Sequence, residues 1–220
     1  MILHHDLPIP RLTEESLQAW REIPPAVASD AQNRLQAMRS AIRPLHLDMR
    51  LAAQARTVQC KIGDNGALHA ALTIVEPGDV LVCDAGGYED TALFGGLMAR
   101  AAQARGVAGL VIDGAIRDRA EIIEMNLPVF ARSAVPRGPH KGLGGAIDGP
   151  ISCGGLTVHP GDLILGDADG VTVVPFAQAG PVFDAAQAIL AKEAKALATL
   201  AEGGSLADLY GVPEITKLPR

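Results

Sequence analysis

Apolar and polar positions along the chain follow two periods, and the middle of the chain switches between them. Residues 56–62 (RTVQCKI) alternate as a strand does, and Gly63-Asp64-Asn65-Gly66 turns the chain into a helix predicted over 67–75. Residues 76–87 (EPGDVLVCDAGG) read as a Pro-Gly turn, a strand and a glycine loop. The stretch 93–106 (LFGGLMARAAQARG) reads as a helix that begins through Gly95-Gly96 and stops at Gly106. A further apolar strand starts at Gly109 and is expected to stop on Asp113-Gly114, with a short helix over 119–125 beyond it. Strand, helix, strand, helix from about 79 to 125 is the pattern of crossover units on a partly parallel sheet.

The flanks differ. Thr13 and Ser16 form a capping signature for a short helix over 13–21, which Pro24-Pro25 breaks. A second helix is predicted over 27–40, with Ser29 or Asp30 near its start. From 126 onward, short apolar runs split by Gly, Pro and Asp predict a meander of short strands. A long helix over 178–202 follows, ended by Gly203-Gly204. On it Val182, Ala186, Ile189, Leu190, Leu197 and Leu200 form one apolar stripe, with Glu193 in its middle and Lys192 and Lys195 pointing away. A carboxylate on such a face is either paired at a cleft or interface, or marks a helix end that clears the body of the subunit. No linker, repeat or low-complexity tract divides the chain, so residues 1–220 are read as one domain.

Composition narrows the function classes. Aromatic residues make up 3% of the chain, too few for a base-stacking surface. The net charge of −6, with no Lys/Arg block, argues against nucleic acid as a partner. No run approaches eighteen consecutive apolar residues, which argues against a membrane span, and the segment MILHHDLPIPRL lacks the charge and apolar pattern of a signal peptide. Cys60, Cys83 and Cys153 form no CxxC pair and are expected as buried, reduced thiols of a cytoplasmic protein.

Candidate chemistry gathers at strand ends followed by glycines, where α/β folds place ligands. The Gly95-Gly96 helix start is either a plain turn or a place where free N–H groups bind a small carboxylate or phosphate. Arg117-Asp118, with Glu121 three residues on, is either a solvated charge pair at a helix start or a divided tool. In the second reading Asp118 is a hard ligand for Mg²⁺ or Mn²⁺, and Arg117 faces a developing oxyanion. Lys141, in the loop GPHKGLGG, belongs to a surface loop or meets a substrate carboxylate. His69 is expected to be packed in the core, and no His/Cys cluster has zinc spacing.

The residues LFGGLMARAAQARGVAGLVIDGAIRD (93–118) resemble the signature of the 4-hydroxy-4-methyl-2-oxoglutarate / 4-carboxy-4-hydroxy-2-oxoadipate aldolases. Their superfamily includes oxaloacetate decarboxylases and the regulator of ribonuclease E activity. The similarity extends to SDAQNRL near 29–35, GDN at 63–65, PGDVLVCD at 77–84, PGDLILGDADGVTVVP at 160–175 and KEAK at 192–195. The family motif G-x20-R-D-x2-E/D is met by Gly96, Arg117, Asp118 and Glu121. The resemblance implies a four-layer α/β/β/α sandwich with mixed sheets and a long C-terminal helix. It also implies a homotrimer or homohexamer with sites between subunits.

By the same resemblance Asp118 ligates Mg²⁺ or Mn²⁺ and Arg117 faces the carbonyl or enolate oxygen. The Gly95-Gly96 turn, with the amides of Gly96, Leu97 and Met98, holds the pyruvyl carboxylate. Glu193 of a neighbouring subunit binds metal waters, Lys141 meets the distal carboxylate, and Asn65 and Asp30 line the site. One departure stands out: aldolases of the family carry Asp at the position of Gly96. The implied activity is metal-dependent cleavage of a 4-hydroxy-2-keto acid to pyruvate, with oxaloacetate decarboxylation through the same enolate. A dedicated oxaloacetate decarboxylase is the first alternative and a non-catalytic regulator-like binding protein the second. Asp118, which the ribonuclease regulators lack, favours an enzyme.

Overall fold

The fold is organised around two strands that each pair with three others, β3 (Leu51–Cys60) and β6 (Gly109–Ile116). A computed structural model describes residues 1–218. Before β3 come β1 (Ile2–His4), α1 (Glu14–Trp20), α2 (Pro25–Ala31) and β2 (Arg43–Pro44). Between β3 and β6 lie α3 (Gly66–Ile74), β4 (Asp79–Asp84), β5 (Ala92–Phe94) and α4 (Gly96–Ala104). After β6 follow α5 (Arg119–Glu124), β7 (Val129–Ala134), β8 (Gly145–Ile147), β9 (Ile151–Cys153), β10 (Leu156–Val158), β11 (Leu163–Asp167) and β12 (Gly170–Val174). The long α6 (Ala179–Ala201) and the short α7 (Leu206–Tyr210) end the described elements.

The main sheet runs β1-β8-β3-β4-β6-β7-β2, with β5 beside β6 and the β11–β12 hairpin on the free part of the β3 edge. β3, β4, β6 and β7 are mutually parallel, as the alternation of strands and helices predicts, whereas β8 and β11 pair with β3 antiparallel. The inward residues of β11 and β12, Ile164, Val171 and Val173, join the central core that α3, α4 and α5 also cover. Leu163, Leu165 and Val174 point the other way, onto Trp20, Val27, Val182 and Ala186 of the α1, α2 and α6 layer. That alternation lets the hairpin serve both cores, so helices cover both sides of the mixed sheet.

Three elements depart from the sequence reading, each for a tertiary reason. The strand predicted at 56–62 is β3 and begins five residues earlier. Both its faces are largely buried, so Gln54, Arg56 and Thr57 are internal and partnered, which erases the alternation. Gln54 donates to Pro10 and Gly161 carbonyls and accepts from Leu12 N–H, Thr57 donates to Gly149, and Arg56 donates to Ile74 O beside Asp79 and Asp148. The helix predicted over 27–40 is only α2, with Pro25 as its first residue. Asn33, Arg34 and Gln36 are left-handed and turn the chain so that Met38 and Gln36 hydrogen bond with Val171 and Val173 of β12. β6 does not stop at Asp113-Gly114 but runs to Ile116. Asp113 is buried in mid-strand because Arg132 pairs with it and Gly154 N–H donates to it at 2.8 Å.

Candidate active site

The site is built where the C-terminal end of β6 meets β5 and the start of α4. Arg117 N–H donates to Phe94 O at 2.9 Å, so β5 is held against the end of β6. Asp118 then takes a left-handed conformation, φ +58°, as the residue preceding α5. Aspartate is among the few L-residues that adopt it readily. This turn points the carboxylate back, and Asp118 Oδ2 accepts the Gly96 N–H at 2.9 Å. The close approach requires a bare backbone: a Cβ on Gly95 would lie 2.7 Å from Asp118 Oδ2 and 2.8 Å from Arg117 Cγ.

Arg117 and Asp118 are adjacent without being locked together. Nε stands 3.6 Å from Oδ2, and both side chains are half-exposed at the cleft. The guanidinium lies under the 138–144 loop, since a Cβ on Gly138 would come 2.9 Å from Arg117 Nη1. At the start of α4 the helix geometry leaves the Leu97 and Met98 amides without intrahelical acceptors. The Leu97 side chain is exposed, while Met98 is buried.

A cleft of about 110 Å³ opens beside this pair, bordered by Asn65, His69, Phe94, Gly95, Leu97, Met98, Arg117, Pro139 and Lys141. Six of the sequence-predicted site residues (Asn65, Gly95, Leu97, Met98, Arg117 and Lys141) therefore share one cavity, and Gly96 and Asp118 are joined at its edge. Asn65 is buried and its amide nitrogen donates to Leu93 O at 2.8 Å and to Met98 Sδ at 3.1 Å. Its Oδ1 has no donor, an unmatched acceptor of the kind a ligand completes.

Two residues at or near the cleft were given no site role of their own by the sequence. His69 is not packed in the core: it sits on the exposed side of α3 at the cleft. Partial burial, and after it the nearby Lys141 charge, lower its pKa, which favours the neutral imidazole. Glu121 projects from α5 and pairs with Arg100 of α4, Nη2 2.8 Å from Oε1. Its carboxylate fills the space above Gly96, where a Cβ would lie 2.5 Å from Glu121 Cδ. The motif spacing contains Glu121, but only the packing of α5 against α4 shows what it replaces.

Asp30 and Glu193 do not border the cleft of the single chain. Asp30 is on α2, 3.8 Å from Arg34, and α2 packs against α6. The apolar stripe of α6 is buried at Val182 and Ala186, whereas Leu197 and Leu200 are 68% and 46% exposed and Glu193 lies in the uncovered half. Among the described residues no three His, Cys, Asp or Glu side chains converge as a metal cage. The donor set at the cleft is one half-exposed carboxylate, Asp118, with Glu121 near it. That fits a hard cation which keeps most of its waters, and no soft metal. A larger cavity of about 590 Å³, bordered by Trp20, Arg50 and Asp167, contains none of these residues.

The sequence model of the RraA-like family, described as aldolase/RraA, matches residues 25–173. The chain belongs to the RraA-like family. A Halalkalibacterium halodurans protein provisionally named 4-hydroxy-4-methyl-2-oxoglutarate aldolase is 44% identical over 159 residues, 72% of this chain and 76% of that protein. Among solved RraA-like folds, a Pseudomonas syringae pv. tomato protein superposes with a TM-score of 0.80 at 26% identity, covering 90% of this chain and 98% of its own. The RNA-processing inhibitor RraA from Thermus superposes with a TM-score of 0.64 at 33% identity, covering 70% and 93%. No helix among the described residues is long and apolar enough to cross a membrane.

Proposed function

We propose that the protein is a divalent-metal-dependent lyase that cleaves a 4-hydroxy-2-keto acid to pyruvate. The observation that carries this is that the open Arg117 guanidinium, the start of α4 and Lys141 share one cleft, with the Asp118 carboxylate bound to Gly96 at its edge. The provisional aldolase name of the H. halodurans relative points the same way. Asp118 would hold Mg²⁺ or Mn²⁺, which when bound supplies Lewis-acid stabilisation of the keto oxygen.

The residues divide the remaining work. The Leu97 and Met98 amides, at the positive end of α4, bind the substrate's 1-carboxylate. Arg117 donates to the C2 oxygen and stabilises the negative charge that builds on it as the C3–C4 bond breaks. Lys141 pairs with the distal carboxylate, and Asn65 Oδ1 accepts from a substrate hydroxyl. A carboxylate must orient the water that removes the C4 hydroxyl proton: Glu121 stands beside Gly96, and Glu193 is offered by a second subunit of a trimer or hexamer. Oxaloacetate decarboxylation reaches the same enolate without that proton transfer, and Gly96, in place of a base-supporting Asp, favours it as a second activity.

The test is pyruvate release from 4-hydroxy-4-methyl-2-oxoglutarate, 4-carboxy-4-hydroxy-2-oxoadipate and oxaloacetate, with Mg²⁺ and with chelator. Chelator-sensitive release from the hydroxy acids is expected. Release from oxaloacetate alone would make the protein a dedicated decarboxylase. The likeness to Thermus RraA supports a second reading as a binding protein, which absence of both turnover and metal affinity would favour.

A further inference from the structure

Asp64 is fully buried, lies outside the cleft, and has no role in the chemistry above. Its Oδ1 accepts the Gly66 N–H at 2.8 Å, capping the start of α3, and its Oδ2 accepts the Leu143 N–H at 2.9 Å, seventy-nine residues away. The neighbouring backbone is tied as well: His140 N–H donates to Gly63 O at 2.8 Å and Asn65 N–H to His140 O at 3.0 Å. Lys141 and Gly142 therefore form a two-residue arch, fastened at His140 by backbone bonds and at Leu143 by the Asp64 carboxylate. Gly66 lets the arch settle on the helix, since a Cβ there would lie 3.0 Å from Lys141 O and 3.1 Å from Asp64 Oδ1. The Asp64 carboxylate thus fixes the cleft residue Lys141 through the arch.

We propose that Asp64 is the positioning residue that sets Lys141 over the cleft, and so governs affinity for substrates with a distal carboxylate. It touches no substrate and acts through the arch. A carboxylate is required because two amides, of Gly66 and Leu143, each need one of its two oxygens as an acceptor. Asparagine has one acceptor oxygen and would turn an N–H₂ group toward an N–H. Serine can keep the short bond to Gly66 but cannot reach Leu143. The substrate half of the proposal rests on the aldolase reading; the arch does not.

The experiment uses the full chain with Mg²⁺ and compares wild type, Asp64→Asn, Asp64→Ser, Lys141→Ala and the Asp64→Ser/Lys141→Ala pair. Amide hydrogen exchange in 138–145 is expected to quicken about tenfold in both Asp64 variants, while that of β3 and β6 is retained. Unchanged exchange in 138–145 overturns the proposal whatever the enzyme's substrate, and so does equal loosening throughout the chain. With 4-hydroxy-4-methyl-2-oxoglutarate, Asp64→Ser should raise KM about tenfold with kcat within about twofold, and add nothing once Lys141 is alanine. A fall in kcat alone, or additive effects in the double variant, overturns the substrate half. If wild type turns over none of the hydroxy acids, the aldolase reading fails while the exchange result still decides the arch.

Discussion

The Glu121 carboxylate occupies the space that a side chain on Gly96 would need, while the Gly96 N–H donates to Asp118. The resemblance implies an aspartate at position 96 in aldolases of the family; in this chain the space beside Gly96 holds the Glu121 carboxylate from α5. The overlap is with the far end of a half-exposed side chain, so an aspartate at 96 would push Glu121 aside and away from Arg100. Gly96→Asp should therefore change stability by no more than about 1 kcal/mol, the scale of a surface ion pair. The aspartate should cost nothing further once Glu121 is alanine. Thermal midpoints of Gly96→Asp, Glu121→Ala and the double variant check this, and a large loss in Gly96→Asp that persists in the double variant would contradict the packing.

Asp118→Asn should leave the fold intact, because asparagine also tolerates the left-handed conformation and can still accept the Gly96 N–H. It removes the charge that a hard cation needs. Turnover should be lost, together with the rise in melting temperature on adding Mg²⁺, while the metal-free melting temperature stays within a few degrees. Thermal scans with and without Mg²⁺ and an assay of pyruvate release measure all three.

In the proposed trimer or hexamer, the exposed half of the α6 stripe would bring Glu193 to a second subunit's cleft. Glu193→Gln should then slow hydroxy-acid cleavage more than oxaloacetate decarboxylation, since only the former must remove a hydroxyl proton. Mixing inactive Asp118→Asn and Glu193→Gln subunits under exchange should restore part of the cleavage, through sites that combine one intact residue from each. Exchange shown by mass spectrometry without any returned activity would place Glu193 outside the site.

Asp64 also predicts an acid limb of stability. Burial alone would raise its pKa, but the amides of Leu143, Gly66 and Gly142, with the His140 charge, outweigh that and hold it below the usual carboxylate value. A carboxyl depressed in the folded state contributes stability that is present above its unfolded pKa of about 3.9 and is lost as pH falls through the folded value. Denaturant titrations at a series of pH values should show wild type more stable than Asp64→Asn at pH 7. The gap should shrink below about pH 4. A gap that is constant with pH would mean that Asp64 contributes through shape alone.

Local sequence determined the parts of this protein whose signals are local. The 3.6-residue period of α4 and of α6, the Thr13 cap and the Pro-Gly and Gly-Gly punctuation are consequences of neighbouring side chains sharing a face, so they are legible in one dimension. The Arg117-Asp118 pair is legible for the same reason, as two charges placed just beyond an apolar strand. Tertiary structure alone decided what depended on distant partners. β3 hides its extent because Gln54, Arg56 and Thr57 each find partners among residues from Pro10 to Gly161. β6 carries Asp113 through its middle because Arg132 and Gly154 neutralise and cap it. α2 stops at Ala31 because the chain has β12 to pair with. The same holds in the cleft: Glu121 above Gly96, and Lys141 on an arch held by Asp64, are contacts across 25 and 79 residues that no periodicity records. A side chain's face follows from its own helix or strand, whereas its partner depends on how the sheet folds back, and hydrogen bonds with charge pairing decide that only after the elements have met.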